Sequence, residues 1–229
     1  MGSAYPLRQC AVMDKEEQKH MDRVEEARRT LLALYGGSHS PLEESDPDFA
    51  AIKQRLVYGE LYAQEALDPV MRELILLAVA TTNQTMSEVK LHTCAALRSG
   101  ASPEAVKEAV YHCAPYIGLG KAEAAAAAVN EVLRTQGISL PLASQRTVSE
   151  EDRLTAGIAA QKSIFGPHID EMRAAAPNDK KPLQDYLSAY CFGDFYTRSG
   201  LDIRQRELLT FSILSAQGGC ENQIKAHAG

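Results

Sequence analysis

In the stretch "SEVKLHTCAALRSG", residues 87–100, Glu88 and His92 stand four residues apart. On a helix that spacing turns both side chains to one face. The rest of the stripe, Ala95, Ala96 and Ser99, is small, which favours close packing. Imidazole titrates near neutral pH, with a reference value of about 6.5, and a neighbouring carboxylate can orient it and stabilise its charged form. The residue types therefore suit proton transfer, with His92 carrying the proton and Glu88 as its partner. An exposed pair at this spacing would be only an ion pair worth about 0.3–0.5 kcal/mol.

A second carboxylate, Glu73, precedes His92 by nineteen residues and borders the apolar run 74–80. A helical hairpin turning near "TTNQT" brings Glu73 to His92, and a carboxylate buried in such a helix requires a partner. Arg72 points about 100° away round the same helix. By type it is a candidate to hold a substrate carboxylate, as is Lys90; its structural alternative is an ion pair with Glu60 or with the other half of the chain. Tyr116 is a candidate pocket wall, although aromatic residues in helices more often belong to the core. His112, in "YHCAPYIG", has the weakest case of the histidines near these groups. His20, His39 and His168 have no constellation around them.

The elements that position these groups read as helices throughout. "DKEEQKHMDRVEEARRTLLALYGG" is charged and periodic and stops at Gly36-Gly37. Asp68 followed by Pro69, and Ser102 followed by Pro103, are helix starts, with a capping side chain before proline at the first helical position. "KAEAAAAAVNEVLRTQG" is built almost wholly of helix formers. Residues 138–149, "ISLPLASQRTVS", lack periodicity and read as a linker.

Beyond the linker the pattern recurs. "YGELYAQEALDPVMREL" parallels "FGDFYTRSGLDIRQREL", with identities at Gly59/Gly193, Tyr62/Tyr196, Leu67/Leu201, Asp68/Asp202, Arg72/Arg206, Glu73/Glu207 and Leu74/Leu208. "SEVKLH" then meets "NQIKAH", so His92 corresponds to His227, with Gln223 in place of Glu88. This density of identities indicates tandem duplication. The expected organisation is a first repeat over 1–137, the linker over 138–149, and a second, C-terminally incomplete repeat over 150–229. Glu207 and His227 form the second candidate couple. Glutamine is no ready proton donor or acceptor, so the two copies are expected to differ in chemistry.

Bulk properties narrow the partners. A net charge of -6, with no basic stripe, argues against nucleic acid. No apolar run approaches the roughly 20 residues that span a bilayer, and residues 1–18 lack a signal-peptide core, so no membrane is expected. Five cysteines without CxxC fit a reducing, cytoplasmic setting better than a disulfide scaffold. Glu73, Glu88, His92 and His112 do not reproduce the doubled Glu-x-x-His of a di-iron bundle, and no metal is assigned.

The run "RELILLAVATTNQTMSEVKLHTCAALRSGASPEAVKEAVYHCAPYIG" resembles the carboxymuconolactone decarboxylase family, relatives of the alkylhydroperoxidase D proteins. The features that carry the resemblance are Arg72-Glu73-Leu74, an acidic residue one turn from His92, the "GAS.E…EA" pattern (Gly100, Ala101, Ser102, Glu104, Glu108, Ala109), and Tyr116 with Gly118. It covers 25–135 well and 150–229 as a shortened second copy. The resemblance implies an all-α, alkylhydroperoxidase D-like fold in two tandem copies, assembled as a homo-oligomer, a trimer or hexamer-like ring. Two chemistries come with it: decarboxylation of a carboxylated muconolactone in aromatic catabolism, and peroxide reduction through CxxC. The positions seven and four before the histidine are Thr85 and Glu88, then Cys220 and Gln223, so neither copy has the dithiol.

The reading is a cofactor-independent enzyme, a carboxy-lyase or a catalyst of related proton transfer, acting on a small carboxylated lactone or related keto acid, with His92, Glu88 and Glu73 in its site. A lactone carbonyl supplies the electron sink, so the chemistry requires no cofactor. The alternatives are a thiol-linked, peroxide-reducing antioxidant protein using Cys220 and a non-catalytic oligomeric binding module.

Overall fold

A computed structural model describes residues 23–37, 40–64 and 66–228. The described residues are helices and connecting turns, the all-α class expected. Residues 1–22 lie outside them, and with them Cys10, His20, the start of the first helix and the segment read for a signal peptide; His39 does too. The chain divides into two compact units, one ending at Asp68 and one beginning at Pro69. No helix among the described residues is long and apolar enough to cross a membrane.

In the first unit, α1 covers 23–35 and α2 covers Pro47–Gln54, continuing in wide π-helical turns through Arg55–Leu61. Gly59 lies in those turns. A Cβ there would stand 2.0 Å from the Arg23 carbonyl oxygen, so only glycine permits this approach of the two helices. The next residue, Glu60, accepts from Arg23 Nη1 at 2.5 Å. Ala27, Leu31 and Tyr58 close the small core beside this crossing.

The second unit begins with α3 (Pro69–Thr82), α4 (Met86–Arg98), α5 (Pro103–Ile117) and α6 (Leu119–Thr135). Ser102 caps α5, its hydroxyl accepting from the Ala105 amide at 3.1 Å. Leu74, Leu77, Val106, Val110, Val129 and Leu133 from α3, α5 and α6 are buried together. Alanines at 125 and 128 keep α6 close to its neighbours.

Residues 138–149 contain no helix. They are fastened to the fold: Ile138, Leu140 and Leu142 pack against the core, and the Gln145 carbonyl accepts from the Ser199 amide at 2.9 Å. Then follow α7 (Arg153–Phe165), α8 (His168–Ala175), α9 (Lys181–Tyr186) with π-helical turns Leu187–Tyr196, α10 (Ile203–Gln217) and α11 (Glu221–Ala226). Asp202 and Gln205 form a capping box that starts α10. The glycine device recurs: a Cβ on Gly193 would lie 2.2 Å from the Arg153 carbonyl oxygen, and Asp194 pairs with the Arg153 guanidinium. The Gly59/Gly193 identity thus corresponds to the same close helix crossing, made twice.

α10 packs against both α3 and α5, and an ionic cluster joins it to α5. Glu108 of α5, 1 % exposed at its side chain, accepts from Arg198 Nε at 2.9 and 3.0 Å and from Arg206 Nη2 at 3.1 Å. The Arg206 side chain is fully buried and also donates to the Arg198 carbonyl at 2.8 Å. Gly200, at φ +90°, turns the chain where a Cβ would approach Glu108 Cγ to 3.0 Å.

Two stability outcomes are expected. Gly193→Ala forces α7 and the π-helical turns apart and lowers unfolding free energy by about 1–3 kcal/mol or more, read by chemical denaturation. Glu108→Ala leaves the Arg206 charge buried without its carboxylate and costs about 3–5 kcal/mol in the same measurement.

Candidate functional site

α3 and α4 pack face to face, and the turn between them places Glu73 against His92. His92 Nδ1 lies 2.9 Å from Glu73 Oε2. A carboxylate only accepts, so Nδ1 carries the hydrogen and Nε2 is left for another partner. That partner is Glu88, whose Oε2 is 3.6 Å from Nε2, an ion-pair separation rather than a hydrogen bond. Glu73 and His92 are buried at 1 % and 9 % of side-chain surface, and Glu88 is half-buried. The three residues singled out in the sequence therefore adjoin one another, with the closest contact made by the more distant carboxylate.

The second copy repeats the inner couple. His227 Nδ1 lies 2.6 Å from Glu207 Oε2, between the end of α11 and α10. The other Glu207 oxygen accepts from the Tyr196 hydroxyl at 2.6 Å. Tyr196 meets the Thr210 hydroxyl at 2.7 Å and the Tyr116 hydroxyl at 3.1 Å; Thr210 in turn lies 2.9 Å from Tyr116 and 2.9 Å from His112 Nε2. Three hydroxyl hydrogens serve these five contacts. With His227 and Tyr196 donating to Glu207, Tyr116 to Tyr196 and Thr210 to His112, the two contacts of Thr210 with the tyrosine hydroxyls are close oxygen–oxygen approaches without a hydrogen of their own.

Burial dominates the electrostatics of this network. It holds His112 well below the ordinary imidazole range, with the Arg206 charge acting in the same direction, so His112 is neutral and accepts at Nε2. Its Nδ1 faces the Arg206 backbone without a well-formed hydrogen bond. Burial also raises Tyr116 and Tyr196, which stay protonated as donors. Cys191, beside the Tyr116 hydroxyl, is pushed up to about 12 and Cys113 is raised further, so both are unreactive thiols.

A cavity of about 490 Å³ opens at the second couple, lined by Arg204, Glu207, Leu208, Phe211, His227 and Ala228. Arg204 puts a cation in the lining of the cavity that Glu207 and His227 share, and it escaped notice in the sequence because its counterpart in the first copy is Val70. Arg72 is half-buried on α3. Tyr116, read as a substrate contact, has its hydroxyl bound to Tyr196 and Thr210. Cys220 is half-buried just before α11 and does not line the His227 cavity. Among the described residues no group of three or more His, Cys, Asp or Glu side chains is placed to hold a metal ion. His112 has the weakest sequence case of the nearby histidines yet joins this network, and Tyr196 and Thr210 are not singled out by the sequence, although Tyr196 leaves a signal in its identity with Tyr62.

The depressed His112 has a definite consequence for acid stability. The unfolded chain takes up a proton near pH 6.5 and the buried ring does not. Stability is therefore complete above about pH 6.5 and falls as pH is lowered, by at most about 1.4 kcal/mol per pH unit from this residue. Denaturation at pH 7.5, 6.5 and 5.5 should show a steeper acid loss for the wild type than for His112→Gln.

Comparison with known proteins bears on the same residues. The sequence profile of the carboxymuconolactone decarboxylase family matches residues 47–131 and 181–229, more than half of the chain. The first segment holds Glu73, Glu88 and His92, the second Glu207 and His227, and a match in two segments is consistent with a tandem arrangement. A 4-carboxymuconolactone decarboxylase from Acinetobacter baylyi is 29% identical over 98 residues, covering 43% of this chain and 73% of that protein. The chain belongs to the carboxymuconolactone decarboxylase family.

Proposed function

We propose that the protein is a cofactor-independent decarboxylase acting on a small carboxylated lactone of the 4-carboxymuconolactone type. The observation that carries this reading is the paired geometry His92–Glu73 and His227–Glu207: a mostly buried histidine held at Nδ1 by a carboxylate. At His227, a cavity with an arginine on its wall adjoins the pair.

The chemistry follows from those positions. A cation such as Arg204 holds an anionic group of the substrate. The carbon–carbon bond to the leaving carboxylate breaks, CO2 departs, and the electron pair moves into the conjugated lactone carbonyl. A histidinium then delivers its Nε2 proton to carbon, while the glutamate at Nδ1 fixes the ring and stabilises its positive charge before transfer. In the first copy Glu88 faces Nε2 and attracts the proton to that nitrogen. Gln223 replaces it in the second copy, where the proton must come from elsewhere. The copies then differ in how Nε2 is charged rather than in how the ring is held.

The experiment is CO2 release from 4-carboxymuconolactone. His92→Ala and His227→Ala each remove the proton carrier of one couple. The double variant should lose about 10²–10⁴-fold in kcat, the range for one general acid. No CO2 release by folded wild-type protein, or undiminished release by the double variant, contradicts the proposal. Peroxide reduction abolished by Cys220→Ser would establish the antioxidant reading instead.

A further inference from the structure

A second cavity, of about 380 Å³, lies away from both Glu–His couples. One wall is a single face of α5, where Glu104, Lys107, Glu108 and Tyr111 follow at helical spacing. Asn130 and Arg134 of α6, residues 140–145 and Arg198 complete the lining. The size falls within the range of small-molecule sites.

Its charge contrasts with that of the chain. Lys107, Arg134 and Arg198 line it against Glu104 and Glu108, and Glu108 is already bound by Arg198 and by the buried Arg206. The local balance is therefore positive in a protein of net charge -6. The cations are also positioned. Lys107 Nζ donates to Asn130 Oδ1 at 2.8 Å and stands 5.3 Å from the Tyr111 ring centre, leaving two ammonium hydrogens uncommitted by that bond. The Arg198 guanidinium lies 5.7 Å from the same ring, held by Glu108. Leu140, Pro141 and Leu142 add apolar atoms to the lining, Leu140 and Leu142 while also packing against the core.

We infer that this cavity is a binding site for a small organic carboxylate with an apolar body. Lys107 and Arg134 receive the carboxylate, with Arg198 adding positive potential; the body lies between Tyr111 and the 140–142 wall. A ligand here touches α5, α6, the 138–149 segment and Arg198, which is two residues from Tyr196. The site is independent of the proton-transfer couples and of any turnover.

The test is NMR titration of the full chain with benzoate, with benzamide and inorganic phosphate as controls. Benzoate should shift the amides of Tyr111, Ala143, Ser144 and Gln145. Arg134→Gln, at an exposed position, and Lys107→Gln should each weaken that binding about tenfold, while His227→Ala leaves it unchanged. Benzamide should not bind, because it lacks the charge, and phosphate should bind at least tenfold more weakly, because it lacks the apolar body. No shifts at those amides, shifts indifferent to Arg134→Gln and Lys107→Gln, or phosphate binding as tight as benzoate would overturn the assignment.

Discussion

The ionic cluster of Glu108 with Arg198 and Arg206 is the constraint on which the second unit depends. The Arg206 guanidinium and the Glu108 carboxylate are withdrawn from water at the contact of α5 with α10, and the partly exposed Arg198 guanidinium completes the cluster. Burial pushes the Arg206 guanidinium down from its ordinary value, and Glu108 opposes that shift. Such an arrangement holds only while all members are in place, because removing one strands another. It fixes the register of α10 against α5, and so brings Thr210 to His112 and Tyr196 to Tyr116. It also holds Arg198 in the lining of the 380 Å³ cavity.

Upon that frame the same small device is built twice. A glutamate in the second turn of one helix reaches the Nδ1 of a histidine at a following helix, at 2.9 Å in one copy and 2.6 Å in the other. The surroundings differ. In the first copy a further carboxylate faces the outer ring nitrogen. In the second, the glutamate is held from behind by a network of Tyr196 from the π-helical turns, Thr210 from α10 and His112 from α5. The anchoring of the ring is common to the copies, and what supplies its proton is not.

Much of this was legible in the sequence where the signal is local. Ser102-Pro103 marked the start of α5, and Glu73 and His92 could be paired because a short hairpin joins their helices. Glu60 and Asp194 each follow the repeated glycine in the sequence, but their shared role, closing an ion pair beside a glycine crossing, depends on the path of another helix. The contact of His112 with Thr210 spans 98 residues, and no spacing rule reaches so far. His112 therefore seemed the weakest of its neighbours while being fully buried in the polar network. Arg204 was hidden for a different reason: the comparison of copies looks for what they share, and this residue is where they differ.

The central physical claim is that a glutamate holds each histidine at Nδ1 and frees Nε2 for the proton. Long-range ¹H–¹⁵N NMR of the imidazole nitrogens reads this directly, with His92 and His227 assigned by substitution. At a pH where the rings are neutral, the account predicts a proton on Nδ1 and an unprotonated Nε2 in both residues. Finding the proton on Nε2 in either would contradict it.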